Sequence, residues 1–118
     1  MRHHNHNRKF GRKRKVRNAL LKSLAISLIV YGRIQTTEAK AKELRPFIEK
    51  LVTRAKTNDV NTKRIIMSRL MNRAPETKKL VEEIAPKFKD VNGGYARIMK
   101  LPNRKSDGAR MALIEFVK

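Results

Sequence analysis

Residues 16–56 read VRNALLKSLAISLIVYGRIQTTEAKAKELRPFIEKLVTRAK, and the five residues Arg33–Thr37 in their middle decide the fold class. Leu20, Leu24, Leu28 and Tyr31 recur at helical spacing, and Leu21, Ile26 and Val30 widen the apolar side. The spacing predicts a helix over 16–31 that Gly32 stops. Arg33-Ile34-Gln35-Thr36-Thr37 is short and β-branched, which suits a strand. Thr37 then caps a second helix, with Glu38 on a first turn where the helix dipole favours a carboxylate. That helix is expected from Glu38 to about Lys56, burying Leu44, Phe47, Ile48, Leu51, Val52 and Ala55. Pro46 lies inside it and should kink it or split it near Arg45.

Downstream, Asn58 or Asp59 can cap a third helix over about 60–73, with Ile65, Ile66, Leu70 and Met67 inward. Pro75 opens a fourth, marked by Leu80, Val81, Ile84 and Ala85, and Pro86 should stop it or convert its last turn. Asn92-Gly93-Gly94 breaks the pattern before two strands, Tyr95–Leu101 and Met111–Val117, joined by a loop. The order helix, strand, three helices, two strands implies an α+β fold with helices on one face of a small sheet. Residues 16–118 read as one domain. Residues 1–15, MRHHNHNRKFGRKRK, have no periodicity and one large apolar residue, so they read as a basic arm that orders on a partner.

Charge supplies the functional signal. The chain has 118 residues with 30 Lys and Arg against 10 Asp and Glu, a formal net charge of +20. The acids all lie at or after Glu38, whereas Arg2, Arg8, Lys9, Arg12, Lys13, Arg14, Lys15, Arg17, Lys22 and Arg33 precede it. Such a stretch repels itself unless phosphate is nearby, so the partner is expected to be a nucleic acid. A second cluster, Arg104, Lys105 and Arg110, sits on the loop between the last two strands. Phe10, inside the arm, either packs back on the domain or stacks on an unpaired base.

Other chemistries find little support. The chain has no cysteine, which removes disulfides, thiolate zinc sites and thiol catalysis together. His3, His4 and His6 are the only histidines; with no helical spacing or further ligands, they suit phosphate or base-edge contacts better than metal. Glu82 and Glu83 are adjacent on a helix and do not face one another, and no phosphate-binding loop or nucleophile elbow occurs. Neither an enzyme, a metal site nor a cofactor is expected. The run Ser23–Gly32 is too short for a bilayer span of about 20 residues. Lys22 interrupts the apolar segment and no small-x-small site follows, so a signal peptide is not expected and the reading is a soluble intracellular protein.

At Ile34-Gln35-Thr36-Thr37 followed by Lys40-Ala41-Lys42-Glu43-Leu44-Arg45, the chain resembles the bacterial large-subunit ribosomal protein L-seventeen family. Met1-Arg2-His3, Ala85-Pro86 with Phe88, Gly93-Gly94-Tyr95 with Arg97-Ile98 and Lys100-Leu101, and Asp107-Gly108-Ala109 with Met111-Ala112 and Ile114-Glu115 match in the same order. Asn7, Pro46, Ala96 and Arg110 depart from the usual pattern. The resemblance implies a two-layer α+β domain with a three-stranded mixed sheet and an extended arm reaching into ribosomal RNA. It implies a structural role in the large (50S) subunit and in translation, on 23S-type RNA near the peptide exit side. Neighbouring large-subunit proteins, notably the small L-thirty-two protein, would be its partners, without homo-oligomerisation.

The candidate RNA-contacting set is then the cations and histidines of the arm with Phe10, Arg17, Lys22 and Arg33, the motif residues Thr36, Thr37, Lys40, Lys42, Arg45, Tyr95, Arg97 and Lys100, and the loop residues Arg104, Lys105 and Arg110. Two rival readings share the charge. An architectural DNA-binding protein of the nucleoid type would show a dimer, a minor-groove arm and an apolar wedge. A secreted membrane-active protein would need a strongly amphipathic cationic helix, whereas 16–31 keeps only Arg17 and Lys22 for a polar face.

Overall fold

Helix α1, Arg14–Tyr31, ends where Gly32 takes a left-handed backbone (φ 78°) and its N–H reaches the Leu28 carbonyl at 2.7 Å. A side chain there would be strained, so the glycine sets both the stop and the turn into strand β1, Arg33–Thr37. The computed structural model describes residues 13–118. Arg2, His3, His4, His6, Arg8, Lys9, Phe10 and Arg12, with the roles expected of them, lie outside the described residues.

Thr37 Oγ1 accepts the Lys40 N–H at 3.4 Å and caps α2, Glu38–Ala55. This helix runs through Pro46 without splitting. A proline inside a helix costs about 3 kcal/mol or more. Leu44, Ile48, Leu51 and Val52 on the same helix are fully or almost fully buried, each contributing roughly 1.5–3 kcal/mol, so packing outweighs the missing bond. Pro46 itself is exposed and Phe47 only half-buried.

Asp59 caps α3, Val60–Arg69, by accepting the Thr62 N–H at 2.7 Å. The helix stops short of the expected residue 73. Met71 and Asn72 turn left-handed (φ 56° and 58°), and the Asn72 N–H doubles back to the Met67 carbonyl at 2.8 Å. Ile66 and Leu70 are buried, whereas Ile65 and Met67 are half-buried. Helix α4, Ala74–Lys79, opens on Pro75, widens into a π turn over Leu80–Ile84 and tightens into a 3-10 turn over Ala85–Phe88. Pro86 has no N–H and its ring crowds the carbonyl four residues back, and here, unlike at Pro46, the helix changes pitch around the proline. The widened and tightened turns carry the chain across while Leu80, Val81, Ile84, Ala85 and Phe88 stay buried.

Strands β2, Ala96–Leu101, and β3, Met111–Phe116, complete the sheet in the order β1-β3-β2. Both pairings are antiparallel, which corrects the expected mixed sheet. The strands β1 and β2 point the same way, but β3 lies between them and opposes both. Ala112 and Ile114 face the helices with Ala96 and Ile98, and α2 packs against all three strands. The outer face carries the register rows Arg33–Glu115–Arg97, Gln35–Leu113–Met99 and Thr37–Met111–Leu101.

The inward face of α1 also departs from expectation. Ala25, Ile26, Leu28 and Ile29 are buried, while Val30 is exposed and Tyr31 is 74% exposed. The positions 25, 28 and 29 form the true i, i+3, i+4 set, rotated from the stripe ending at Tyr31. Truncating Ile29 to Ala should therefore cost about 2–5 kcal/mol. The Tyr31→Ala change should stay within about 0.5 kcal/mol. Urea midpoints of the two variants check this, and equal losses would restore Tyr31 to the core.

Candidate nucleic-acid interface

The N-terminal turn of α2 gathers cations that are far apart in the chain. Lys42 Nζ lies 3.0 Å from Glu38 Oε1, and the Glu38 N–H donates to the Arg110 carbonyl at 2.9 Å. That backbone bond pins the end of the 102–110 loop on α2, and the sheet register sets Lys100 beside Ala112, on the side facing the helices. The Lys42 hydrogen bond, with the charges of Lys42, Lys100 and Arg110, holds the Glu38 carboxyl below the usual carboxylate range. Lys42 thus pairs with this carboxylate, and the charges of Lys100 and Arg110 also act on it. Thr37, Lys42 and Arg110 also line one open cavity of about 320 Å³ beside it.

The loop itself is a closed structure. Arg104 clamps Asp107 through two hydrogen bonds, Nε to Oδ1 at 2.9 Å and Nη2 to Oδ2 at 2.7 Å. The Arg104 N–H donates to the Ala109 carbonyl, and the Gly108 N–H to the Arg104 carbonyl. Arg104 is thereby engaged locally, whereas Lys105 and Arg110 form no ion pair among the described residues. Arg97 is engaged too, its Nε 2.7 Å from Glu115 Oε1 on the outer face of the sheet, where Arg33 stands on the far side of Glu115.

Tyr95 is a correction to the candidate set. Its side chain is 1% exposed, its ring meets Phe88 edge-on at 5.1 Å, and its hydroxyl accepts from Thr53 Oγ1 at 3.0 Å. The ring belongs to the core and offers no face to a base. The Tyr95 N–H donates to Glu49 Oε2 at 2.8 Å, and Lys56 Nζ sits 4.7 Å from the ring centre while donating to the Val91 carbonyl. Thr36 shares the inward side of β1 with Ile34 and is half-buried. Lys40 is half-buried, and Arg45 is exposed on α2.

At the start of α1, Lys13 is the N-cap residue, followed by Arg14 and Lys15, with no acid in the first turn. Cations at that end oppose the helix dipole, and an anion there would relieve them. Arg17 and Lys22 follow, both half-buried. A cavity of about 400 Å³ opens beside this turn, lined by Arg14 and Arg17 together with Lys50 of α2 and Arg69 of α3. The same Lys50 and Arg69 line an adjoining cleft of about 540 Å³ with Arg54. Lys50, Arg54 and Arg69 were not singled out from the sequence. Their signal is slight: Lys50 and Arg54 are four residues apart, opposite the apolar stripe, which any solvated helix face also shows.

The two layers with cations collected at helix and strand ends define a strongly basic α+β domain. Residues 20–117 match the family model of ribosomal protein L17. The chain is 53% identical over 117 residues to the large ribosomal subunit protein bL17 of Campylobacter jejuni subsp. doylei, covering 99% of each. It is 52% identical to the protein of that name in Campylobacter lari, again with 99% of each covered. To that of Nautilia profundicola it is 50% identical over 120 residues, covering 99% of this chain and 98% of that one. The chain belongs to the ribosomal protein L17 family, a family of structural proteins rather than enzymes. Among the described residues no group of three or more acidic or histidine side chains is placed to hold a metal, and no helix is long and apolar enough to cross a membrane.

Asp107 provides a local test. Chiefly the Arg104 hydrogen bond, then the Ala109 N–H, lower its carboxyl from 3.8 to about 2. A depressed carboxylate contributes its full share to the folded loop above the unfolded value and loses it as pH falls through the folded one. The 104–109 turn should persist at pH 3, where an unperturbed aspartate is mostly protonated, and open towards pH about 2. A carbon-detected NMR titration of Asp107 with its midpoint near 3.8 would show that the clamp does not form.

Proposed function

We propose that this chain is a structural constituent of the large ribosomal subunit that binds 23S-type ribosomal RNA through phosphates and shape, and so supports translation in the cytoplasm. The observation that carries the reading is the cation surplus: ten Lys and Arg with no acid before Glu38, continued by the folded cluster of Lys42, Lys100 and Arg110. The names of the relatives, large ribosomal subunit proteins over nearly their full length, support the same assembly. Recognition rests on charge rather than stacking, because the chain has six aromatic residues and Phe88 and Tyr95 are buried. The domain division is an arm over 1–15 and a body over 16–118, with α1 already begun at Arg14. The partners are the RNA and neighbouring subunit proteins, including the small L-thirty-two protein, and the chain acts without homo-oligomerisation. Family membership weighs against the architectural DNA-binding reading.

Co-sedimentation with large subunits at graded salt tests the reading. Affinity for the RNA should fall steeply with salt, each phosphate contact adding a log–log slope of ~0.7–0.9. A chain starting at Lys13 should keep its helical circular dichroism and lose most of that affinity. Salt-independent binding would refute phosphate recognition. Loss of the fold on truncation would make the arm part of the body.

A further inference from the structure

The cavity beside the first turn of α1 and the cleft beside Tyr95 share two liners, Lys50 and Arg69, and so form one groove. It starts at Arg14 and Arg17, crosses α2 between Glu43 and Arg54, and ends at the Gly93 peptide before β2. Along α2 that is about 16 Å, from eleven residues at a rise of 1.5 Å. Five cations line the groove against two carboxylates, Glu43 and Glu49. Glu49 is committed to the Tyr95 N–H at 2.8 Å, and it is half-buried. Lys50, Arg54 and Arg69 form no ion pair among the described residues, and all three are exposed.

We propose that this groove seats one unpaired RNA strand, with its phosphates on the five cations and one nucleotide held in the cleft between Thr53, Thr57 and Gly93. The proposal rests on the ribosomal-RNA reading above and locates a contact apart from the arm and the 102–110 loop. A cleft of about 540 Å³ lies in the size range of small-ligand sites, ~300–1,000 Å³. Its rim offers the exposed Thr57 side chain, the acceptor lone pairs of Thr53, whose O–H is given to Tyr95, and the Gly93 peptide edge, groups that can hydrogen-bond a base or ribose. A base already free of pairing is the fitting occupant, since extruding one from a duplex costs a few kcal/mol.

The test uses the full chain and a large-subunit RNA transcript at graded salt. Removing three phosphate contacts with Lys50→Gln, Arg54→Gln and Arg69→Gln should lower the log–log salt slope by roughly two and weaken binding about tenfold or more. A charge-matched control, Lys63→Gln with Lys78→Gln and Lys87→Gln, changes the net charge equally outside the groove and should move the slope less. Photocrosslinking of the unaltered chain to an oligouridine should label peptides containing 53–57 and 93–95, which keeps the test decisive if the triple variant does not fold. Equal effects of the two triple variants, or crosslinks confined to the arm and the 102–110 loop, would overturn the groove while leaving RNA binding intact. Failure of the unaltered chain to bind the transcript would overturn both readings. An acidic peptide that displaces the oligouridine from 53–57 and binds more tightly would reassign the groove to a protein partner.

Discussion

Helix α2 is the piece against which everything else is placed. Its buried side, from Ala41 through Leu44, Ile48, Leu51 and Val52 to Ala55, meets α1, α3, the π and 3-10 turns and all three strands. Removing water from that one stripe therefore fixes the helical layer and the sheet together. The margin of the same helix carries the polar latches. Thr53 and Glu49 hold the hydroxyl and N–H of Tyr95, and Lys56 holds the Val91 carbonyl, so the segment entering β2 is fastened where the apolar stripe ends. A proline at 46 survives in this helix because the packing on its inner side far exceeds one missing hydrogen bond.

The charge imbalance then decides what the outside can do. Most of the acids whose contacts are described serve local geometry: Asp59 caps α3, Glu49 anchors Tyr95, Asp107 closes a loop, Glu115 holds Arg97 and Glu38 holds Lys42. The exposed ion pairs among these contribute little to stability, so they shape the surface without neutralising it. Lys79 shows the complementary use of a cation, its Nζ donating to the Val30 carbonyl at 2.9 Å, where the last turn of α1 has no basic residue of its own. What remains is an excess of positive charge that the chain's own acids do not offset.

Much of this was legible in the residues because local rules and tertiary packing agree there. The Gly32 stop, the Thr37 and Asp59 caps, Pro75 at a first turn and the conversion at Pro86 each follow from one residue's backbone chemistry. Tyr31 misled because an aromatic at helical spacing continues an apolar stripe on paper, while the core is met by Ala25, Leu28 and Ile29 instead. Strand direction misled because it depends on which strand takes the central place, a non-local choice that no single strand's pattern records. Tyr95 entered the candidate interface through its motif, yet its environment is set by Thr53 and Phe88, 42 residues and seven residues away. The cations of the groove were hidden for the same reason: Lys50, Arg54 and Arg69 become neighbours only when α2 and α3 pack.

That convergence separates two ways of presenting charge. A basic segment without periodicity spends ordering entropy at the moment it binds, which lowers its affinity for the area it covers but lets it follow an irregular surface. Cations carried on packed helices have already lost the backbone part of that freedom during folding, so each contact they make on binding costs less. Lys50 and Arg54 stand on the helix that the core holds most firmly, and Arg69 on the last turn of the helix beside it. The register between them is therefore fixed by the burial of Ile48, Leu51, Val52 and Ile66 rather than by anything at the surface. A partner that finds these charges meets a preset spacing. The hydrophobic core, through α2, thus sets the geometry in which the charge is offered.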